Sequence, residues 1–317
     1  MMNELAGEIK KLDDIAVVTH INPDGDALGS ALALNMALCS MGKKSRVVLT
    51  APLPKKYRFS ELKADYMLVG DAPESFSCVI AVDCADFRRL GEAKNLFNHA
   101  AYTINIDHHV SNDGFAHLNY VVPEPSAGEI VYDLICALGI QLNVDMAAAL
   151  YVAISSDTGN FTYENTLPRT FERCAKIAET GLPITSIANR LYNARTYEST
   201  LLIGKVIENL RLYFDARLAV TRISLAELSG TGATAEDCET VINYARDIDT
   251  VELAVFIRQF KENLYKVSFR SKNDIDVMEI AQRFGGGGHK KASGCTMSGE
   301  MEDVLDTVLH IAKEFFR

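Results

Sequence analysis

The sequence predicts an α/β protein of two domains, a first built on a parallel sheet and a smaller mixed α/β domain behind it. Three observations carry this. Through the first half, short apolar runs bounded by turn residues alternate with longer helical patterns, as in βαβ units. In the last third the strand-like runs stand close together, with loops short enough for hairpins. The chain of 317 residues is also about twice the length of a typical domain.

Taken in order, the predicted strands of the first half are Ile15–Thr19, Arg46–Thr50, Cys78–Val82 and Tyr102–Ile106. Helices are expected at Ala27–Met41, stopped by Gly42, and near Arg88–Phe97. After Pro125 the pattern turns helical, over Ala127–Leu138, Val144–Ile154, Arg169–Thr180 and Ile184–Leu191, with Gly139, Gly159 and Gly181-Leu182-Pro183 as stops. Tyr197–Leu212 reads as a helix that runs into a strand-like Leu212-Tyr213-Phe214 and a hairpin around Asp215-Ala216-Arg217. The strands Leu218–Ile223, Val251–Phe260 and Tyr265–Arg270 are expected to be antiparallel, because Lys261–Leu264 is short and polar enough for a hairpin loop. Helices near Ala235–Arg246, Val277–Phe284 and Met301–Phe316 complete the second domain. The boundary falls near residue 190, with 191–215 as a linker helix region and 216–317 as the second domain.

Composition narrows the function. Hydrophobic residues at 48% and charged residues at 23% are ordinary globular usage, against a fibre or a disordered chain. No run of about 18 apolar residues occurs and the charged N-terminus lacks a secretory pattern, so neither membrane nor export is expected. Seven scattered cysteines without a CxxC pair suit reduced thiols in the cytoplasm rather than disulfides or zinc. A net charge of −10 argues against coating a long nucleic-acid polymer. Between Lys261 and Lys291, however, seven basic residues face four acidic ones. This island suits a compact anionic ligand, with a solvated hairpin as the alternative.

The chemistry-bearing residues gather at strand ends. The first strand runs into His20-Ile21-Asn22-Pro23-Asp24-Gly25-Asp26, at the sheet edge where α/β folds bind ligands. Asp26 has an alternative role as the cap of the following helix. Asp83 ends the third strand, where an acid that merely starts a loop is also common, and Asp107-His108-His109 ends the fourth. One of the two histidines is expected to face a metal, with Asp107 orienting a ring from behind. Asp157 follows an apolar helix in Ser155-Ser156-Asp157-Thr158-Gly159-Asn160-Phe161, and could serve only as a turn residue. Aspartate and imidazole without thiolate suit Mn²⁺, Mg²⁺, Fe²⁺ or Co²⁺. The number of such ligands favours two ions, which can share a hydroxide and hold a phosphoryl oxygen.

Four motifs, HINPDGDALGS at 20–30, VDCAD at 82–86, DHH at 107–109 and SSDTGNF at 155–161, together with GGGGHKKASG at 285–294, resemble those of the DHH phosphoesterase superfamily. The likeness extends over nearly the whole chain, and within the superfamily points to stand-alone NrnA-like bifunctional oligoribonucleases and pAp phosphatases. It implies a DHH domain over 1–190, a DHH-associated substrate-binding domain over 216–317, and an active site in the cleft between them. One Mn²⁺ would be held by His20, Asp24 and Asp83, and the other by Asp26, Asp83, His108 and Asp157, with Asp83 bridging. His109 would face the scissile phosphate, supported by Asp107. Arg270, the glycines Gly286, Gly287 and Gly288, and His289 would bind substrate. The implied reaction is hydrolysis of very short RNA to mononucleotides, and of pAp to AMP, by a metal-activated hydroxide. The alternative is a stand-alone phosphodiesterase of cyclic or linear dinucleotides. A homodimer is compatible with either.

Four glycines also let backbone N–H groups approach a phosphate, although such a run with basic neighbours can equally be a flexible loop. Arg88 and Arg89 could reach a phosphate but read at least as well as a solvated helix start, His99, His117 and His310 read as ordinary structural or surface residues, and Phe161 and Tyr163 as core packing, with contact to a base as the alternative.

Overall fold

The computed structural model describes residues Met2–Phe316, without the side chain of His289. The chain divides into two compact units, Met1–Ala194 and Arg195–Arg317.

The first unit contains α1 (Met2–Lys11), β1 (Ile15–Val18), α2 (Gly25–Ser40), β2 (Ser45–Leu49), β3 (Tyr66–Leu68), β4 (Cys78–Val82), α3 (Lys94–His99), β5 (Tyr102–Asp107), β6 (Leu118–Val121), α4 (Ala127–Leu138), α5 (Val144–Asp157), α6 (Pro168–Ala178) and α7 (Ile184–Ala188). Its six strands are parallel, in the order β3-β2-β1-β4-β5-β6. β1 and β4 are apolar along their length because helices and loops cover both faces. Ile15, Val17, Ile80 and Val82 face the core under α2, α4 and α5, whereas Ala16, Val18, Val79 and Ala81 face a second cluster with Leu90, Leu96 and Phe97. The strand order reverses between β1 and β4, and the crevice beyond the carboxyl ends of such a pair is where open α/β sheets place ligands.

Two elements that carry candidate ligands pack almost backbone to backbone. A Cβ on Gly29 of α2 would lie 2.3 Å from Ala149 O of α5, so only glycine permits this approach. α2 begins beside Asp24 and α5 ends at Asp157, so their separation sets the spacing of the acids above them. Gly29→Ala is expected to cost about 1–3 kcal/mol, lowering the melting temperature by about 2–4 °C per kcal/mol. Unchanged melting would contradict this packing.

The second unit contains α8 (Tyr197–Glu208), β7 (Arg211–Tyr213), β8 (Leu218–Ile223), α9 (Leu225–Thr231), α10 (Ile242–Arg246), β9 (Leu253–Lys261), β10 (Leu264–Ser271), α11 (Val277–Gln282), β11 (Gly287–His289), β12 (Ala292–Ser298) and α12 (Met301–Ala312). Its sheet runs β11-β12-β10-β9-β8-β7. One face packs on α11 and α12 through Tyr265, Val267 and Phe269, and the other takes Leu202 and Val206 of α8 with Ile242 of α10.

Several expectations are corrected. β8 and β9 are parallel, joined by the α9–α10 crossover, and only the β9–β10 pair is the expected antiparallel hairpin. The helix expected over Ala235–Arg246 is confined to Ile242–Arg246, and α8 stops at Glu208 before a strand. Arg88–Phe97 begins as a 3₁₀ segment, Phe87–Ala93, with a break at Gly91. β3, β6, β11 and β12 were not expected. No helix of the described residues is long and apolar enough to cross a membrane.

Candidate metal centre

The ends of β1, β4 and β5 and the termini of α2 and α5 bring His20, Asp24, Asp26, Asp83, Asp107, His108, His109 and Asp157 into one neighbourhood. Their ligand atoms form three groupings, each within 4.8 Å: His20, Asp24 and Asp83; Asp26, His108 and Asp157; and Asp83, Asp107, His108 and His109. Asp83 and His108 each belong to two of them.

Local structure aims each side chain. Asp83 adopts a left-handed backbone, φ 56°, directly after β4, a conformation aspartate tolerates better than most residues. That turn leaves the carboxylate buried, with Oδ2 3.8 Å from His20 Nε2 and Oδ1 3.3 Å from His108 Nε2. Asp24, not Asp26, caps α2: its Oδ1 accepts from the backbone N–H of Asp26 and of Ala27, both at 3.1 Å. Asp26 is fully buried and accepts from Ala127 N at 2.6 Å and Gly128 N at 2.8 Å, the N-terminus of α4, and from Ser30 Oγ at 3.0 Å. Those donors hold the carboxylate against the positive end of a helix.

The two histidines of the DHH run are oriented through Nδ1. His108 Nδ1 donates to Glu124 O at 3.0 Å, which turns Nε2 toward Asp26, Asp83 and Asp157 at 3.8, 3.3 and 3.7 Å. His109 Nδ1 donates to Asp107 Oδ1 at 2.8 Å, and Asn112 Nδ2 donates to Asp107 Oδ2 at 2.6 Å. Asp107 is thereby consumed in holding the ring, and Nε2 of the partly exposed His109 is left for another partner.

The electrostatics describe a site crowded with carboxylates. Burial, then the charges of Asp83 and Asp157, push the Asp26 carboxyl well above the usual range, and burial pushes Asp157 up to about 6. Burial opposes charge on His108, yet the Asp83 carboxylate beside it, with Asp26 and Asp157, raises it to about 10. The hydrogen bond to Asp107 raises His109 as well. Asp83 Oδ1 is buried with no hydrogen-bond partner. An orphaned carboxylate oxygen among aspartates and imidazoles is a donor set that fits hard divalent cations. Cys84 stands next in sequence but donates to Asp86 O at 3.3 Å, and burial pushes its thiol up to about 12, so it supplies no thiolate.

Two neighbours escaped sequence reasoning. Asn112 was not singled out; a carboxamide a few residues past a buried strand-end acid is the only sequence signal it leaves. Arg89 was read as solvated, but its Nη2 lies 3.1 Å from His20 Nδ1, and its backbone oxygen accepts from Ile21 N at 2.7 Å. Arg88 does fit the solvated reading, pairing with Asp86 on the surface. Phe161 packs between Tyr151 and Phe171, while Tyr163 is half exposed. His117 bonds Thr103 and stacks on Tyr102.

Arg270, Gly286, Gly287 and Gly288 lie in the second unit. Arg270 near the end of β10 and His289 in β11 both pair with Ala292 across the sheet, and the His289 side chain lies outside the described residues.

Comparison with known proteins bears on this arrangement. The model of the DHH family, N-terminal domain, matches residues 14–154, and that of the DHHA1 domain matches residues 215–317. A Thermus thermophilus protein named bifunctional oligoribonuclease and PAP phosphatase NrnA is 31% identical over 95% of this chain and 89% of its own length. The chain belongs to the DHH family. Within that family, a Streptococcus mutans protein named as a probable NrnA of the same bifunctional kind is 29% identical over 98% of both chains. A crystal structure of an exopolyphosphatase-related protein from Bacteroides fragilis matches at a TM-score of 0.93 and 25% identity, covering 99% of this DHH-family chain and 96% of that one. Exonuclease RecJ bound to manganese shares the fold at a TM-score of 0.53 and 16% identity, covering 94% of this chain and 90% of that one. All the gathered acids and histidines except Asp157 fall inside the segment matched as DHH.

Proposed function

We propose that this DHH-family chain is a metal-dependent phosphoesterase that hydrolyses very short RNA oligonucleotides to mononucleotides, and pAp to AMP and phosphate. The observation that carries the reading is the convergence of five Asp and His side chains, His20, Asp24, Asp107, His108 and His109, on Asp83, whose Oδ1 has no hydrogen-bond partner. The substrates are those in the names of relatives that match nearly the whole chain.

His20, Asp24 and Asp83 would hold one divalent ion, and Asp26, Asp83, His108 and Asp157 a second, with Mn²⁺ the leading candidate and Mg²⁺, Co²⁺ and Fe²⁺ suited to the same donors. When bound, such ions supply Lewis-acid polarisation of the phosphoryl group and an activated water. The protein's part is orientation. Glu124 O fixes the His108 ring so that Nε2 faces the acids, and the N-terminus of α4 fixes Asp26. Asp107 holds His109 and raises it, which favours a proton on Nε2 that could be donated to an anionic phosphoryl oxygen.

Ligands must lose their protons to bind metal. His108, at about 10, keeps its proton through neutral pH, so Mn²⁺ binding near pH 7 is expected to release protons. Affinity should fall as pH drops through about 6, where Asp157 becomes protonated. Calorimetry in two buffers of different ionisation heat checks this; identical heats would contradict it.

The function itself is tested by following products from pAp, an RNA dinucleotide, an RNA pentamer, a 24-mer and cyclic di-AMP after metal is stripped and Mn²⁺ restored. Turnover of pAp and the shortest RNAs with the 24-mer spared supports the proposal. Preference for cyclic di-AMP, or no turnover at all, overturns it.

A further inference from the structure

The second unit holds a cavity of 730 Å³ whose charged and aromatic lining lies outside every sequence motif. Along β10 and β12, Tyr265, Val267, Cys295 and Met297 point into the core with α11 and α12. Strand alternation therefore puts Lys266 and Thr296 on the opposite face. Arg258 of β9 pairs with Lys266, which pairs with Thr296, so the three form one row across three strands. Phe260, two residues beyond Arg258 on the same face, adds an aromatic ring to the cavity, while Phe284, just past α11, borders it but packs against the core with α11 and α12.

Arg258 and Lys266 make no hydrogen bond or ion pair among the described residues, and no carboxylate lines the cavity. Two unpaired cations on adjacent strands, with a hydroxyl beside them, form a receptor for an anion. The Phe260 ring supplies what a phosphate alone would not need, since aromatic faces are the usual platform for bases.

The glycine segment contributes space. Gly286 is required by the fold, because a Cβ there would lie 2.2 Å from Gly294 O. Gly287 is different: a Cβ on it would meet nothing within 4 Å, so its missing side chain leaves the cavity open and serves no local packing. Arg270 is not part of the lining. It stands four residues along the same face of β10 from Lys266, a separation of about 13 Å at strand rise.

We propose that this cavity is a subsite for a nucleotide unit of an oligoribonucleotide other than the one being cleaved, with its phosphate between Arg258 and Lys266 and its base against Phe260. The oligoribonucleotide rests on the phosphoesterase reading above; the nucleotide chemistry rests on the cavity alone. A substrate of one nucleotide, such as pAp, has no further unit to place here.

The test is steady-state kinetics of the full chain carrying R258A/K266A, with Mn²⁺, on an RNA pentamer and on pAp. The expected result is a rise of about tenfold in KM for the pentamer with kcat nearly unchanged, and constants for pAp that stay within about twofold. The salt dependence of pentamer binding should flatten by about 0.7 in log–log slope, one phosphate contact on a single strand. Phe260→Ala should weaken the pentamer by about tenfold without touching pAp. An unaltered pentamer KM, or equal losses on both substrates, overturns the proposal.

If the wild-type chain turns over neither substrate, the phosphoesterase reading fails, and the cavity is read without catalysis. Fluorescence anisotropy with a labelled RNA dinucleotide in EDTA should then show binding to wild type that weakens about tenfold in R258A/K266A. Equal affinity overturns the subsite. Competition by AMP at concentrations as low as those of unlabelled dinucleotide assigns the cavity to a free mononucleotide and overturns its oligonucleotide role.

Discussion

Asp83→Asn is expected to abolish hydrolysis of RNA and pAp alike, with kcat/KM falling by about 10³-fold or more, since stabilisation by bound ions contributes several kcal/mol. Asparagine is the informative replacement. It matches aspartate in size and tolerates the left-handed backbone at φ 56°, so the turn after β4 should survive. What disappears is the charge that both groupings share, through Oδ2 toward His20 and Oδ1 toward His108. In EDTA the variant loses the pairing that raises His108 and also the repulsion that pushes Asp26 and Asp157 up, two opposing effects, so its melting should stay close to that of wild type. Loss of activity with retained melting fits the bridging role; near-normal activity would remove Asp83 from the reaction.

His109→Ala should separate catalysis from metal binding. Its Nδ1 is committed to Asp107 and its ring is less buried than that of His108, whose Nε2 faces three carboxylates. A side chain that donates a proton to the reacting group typically contributes about 10²–10⁴-fold. A fall of kcat in that range is therefore expected for both substrates, with Mn²⁺ affinity nearly unchanged. Loss of metal affinity would make His109 a ligand and remove the division of labour within the DHH run.

Much of this site was legible because each candidate ligand sits where a simple pattern breaks. Asp83 and Asp107 end apolar strands, Asp157 ends an apolar helix, and His20 leads out of β1 toward the glycine turn of α2. The order of the strands was not legible, and it is this order that makes the ends of β1 and β4 neighbours at the reversal point. Partners reached through space were equally hidden: Asn112 and Arg89 gain their roles from loops that fold back onto Asp107 and His20.

The second unit was harder to read, for physical reasons. A two-residue period announces a strand but not its direction, so β8 and β9 were given the wrong sense. β12, Ala-Ser-Gly-Cys-Thr-Met-Ser, has only two large side chains, Cys295 and Met297, facing the core, too few to mark a strand. Arg258 lies outside the basic island counted from Lys261, and only the pairing of β9 with β10 brings it beside Lys266.

The central claim is that one cluster of aspartates and histidines, joined at Asp83, holds two divalent ions. Equilibrium dialysis of the metal-stripped chain against Mn²⁺ tests it most directly, with bound metal counted per chain. The account predicts two ions in the wild type and at most one retained tightly in Asp83→Asn. Wild-type protein that hydrolyses RNA while holding no metal, or a variant that still binds two, would contradict it.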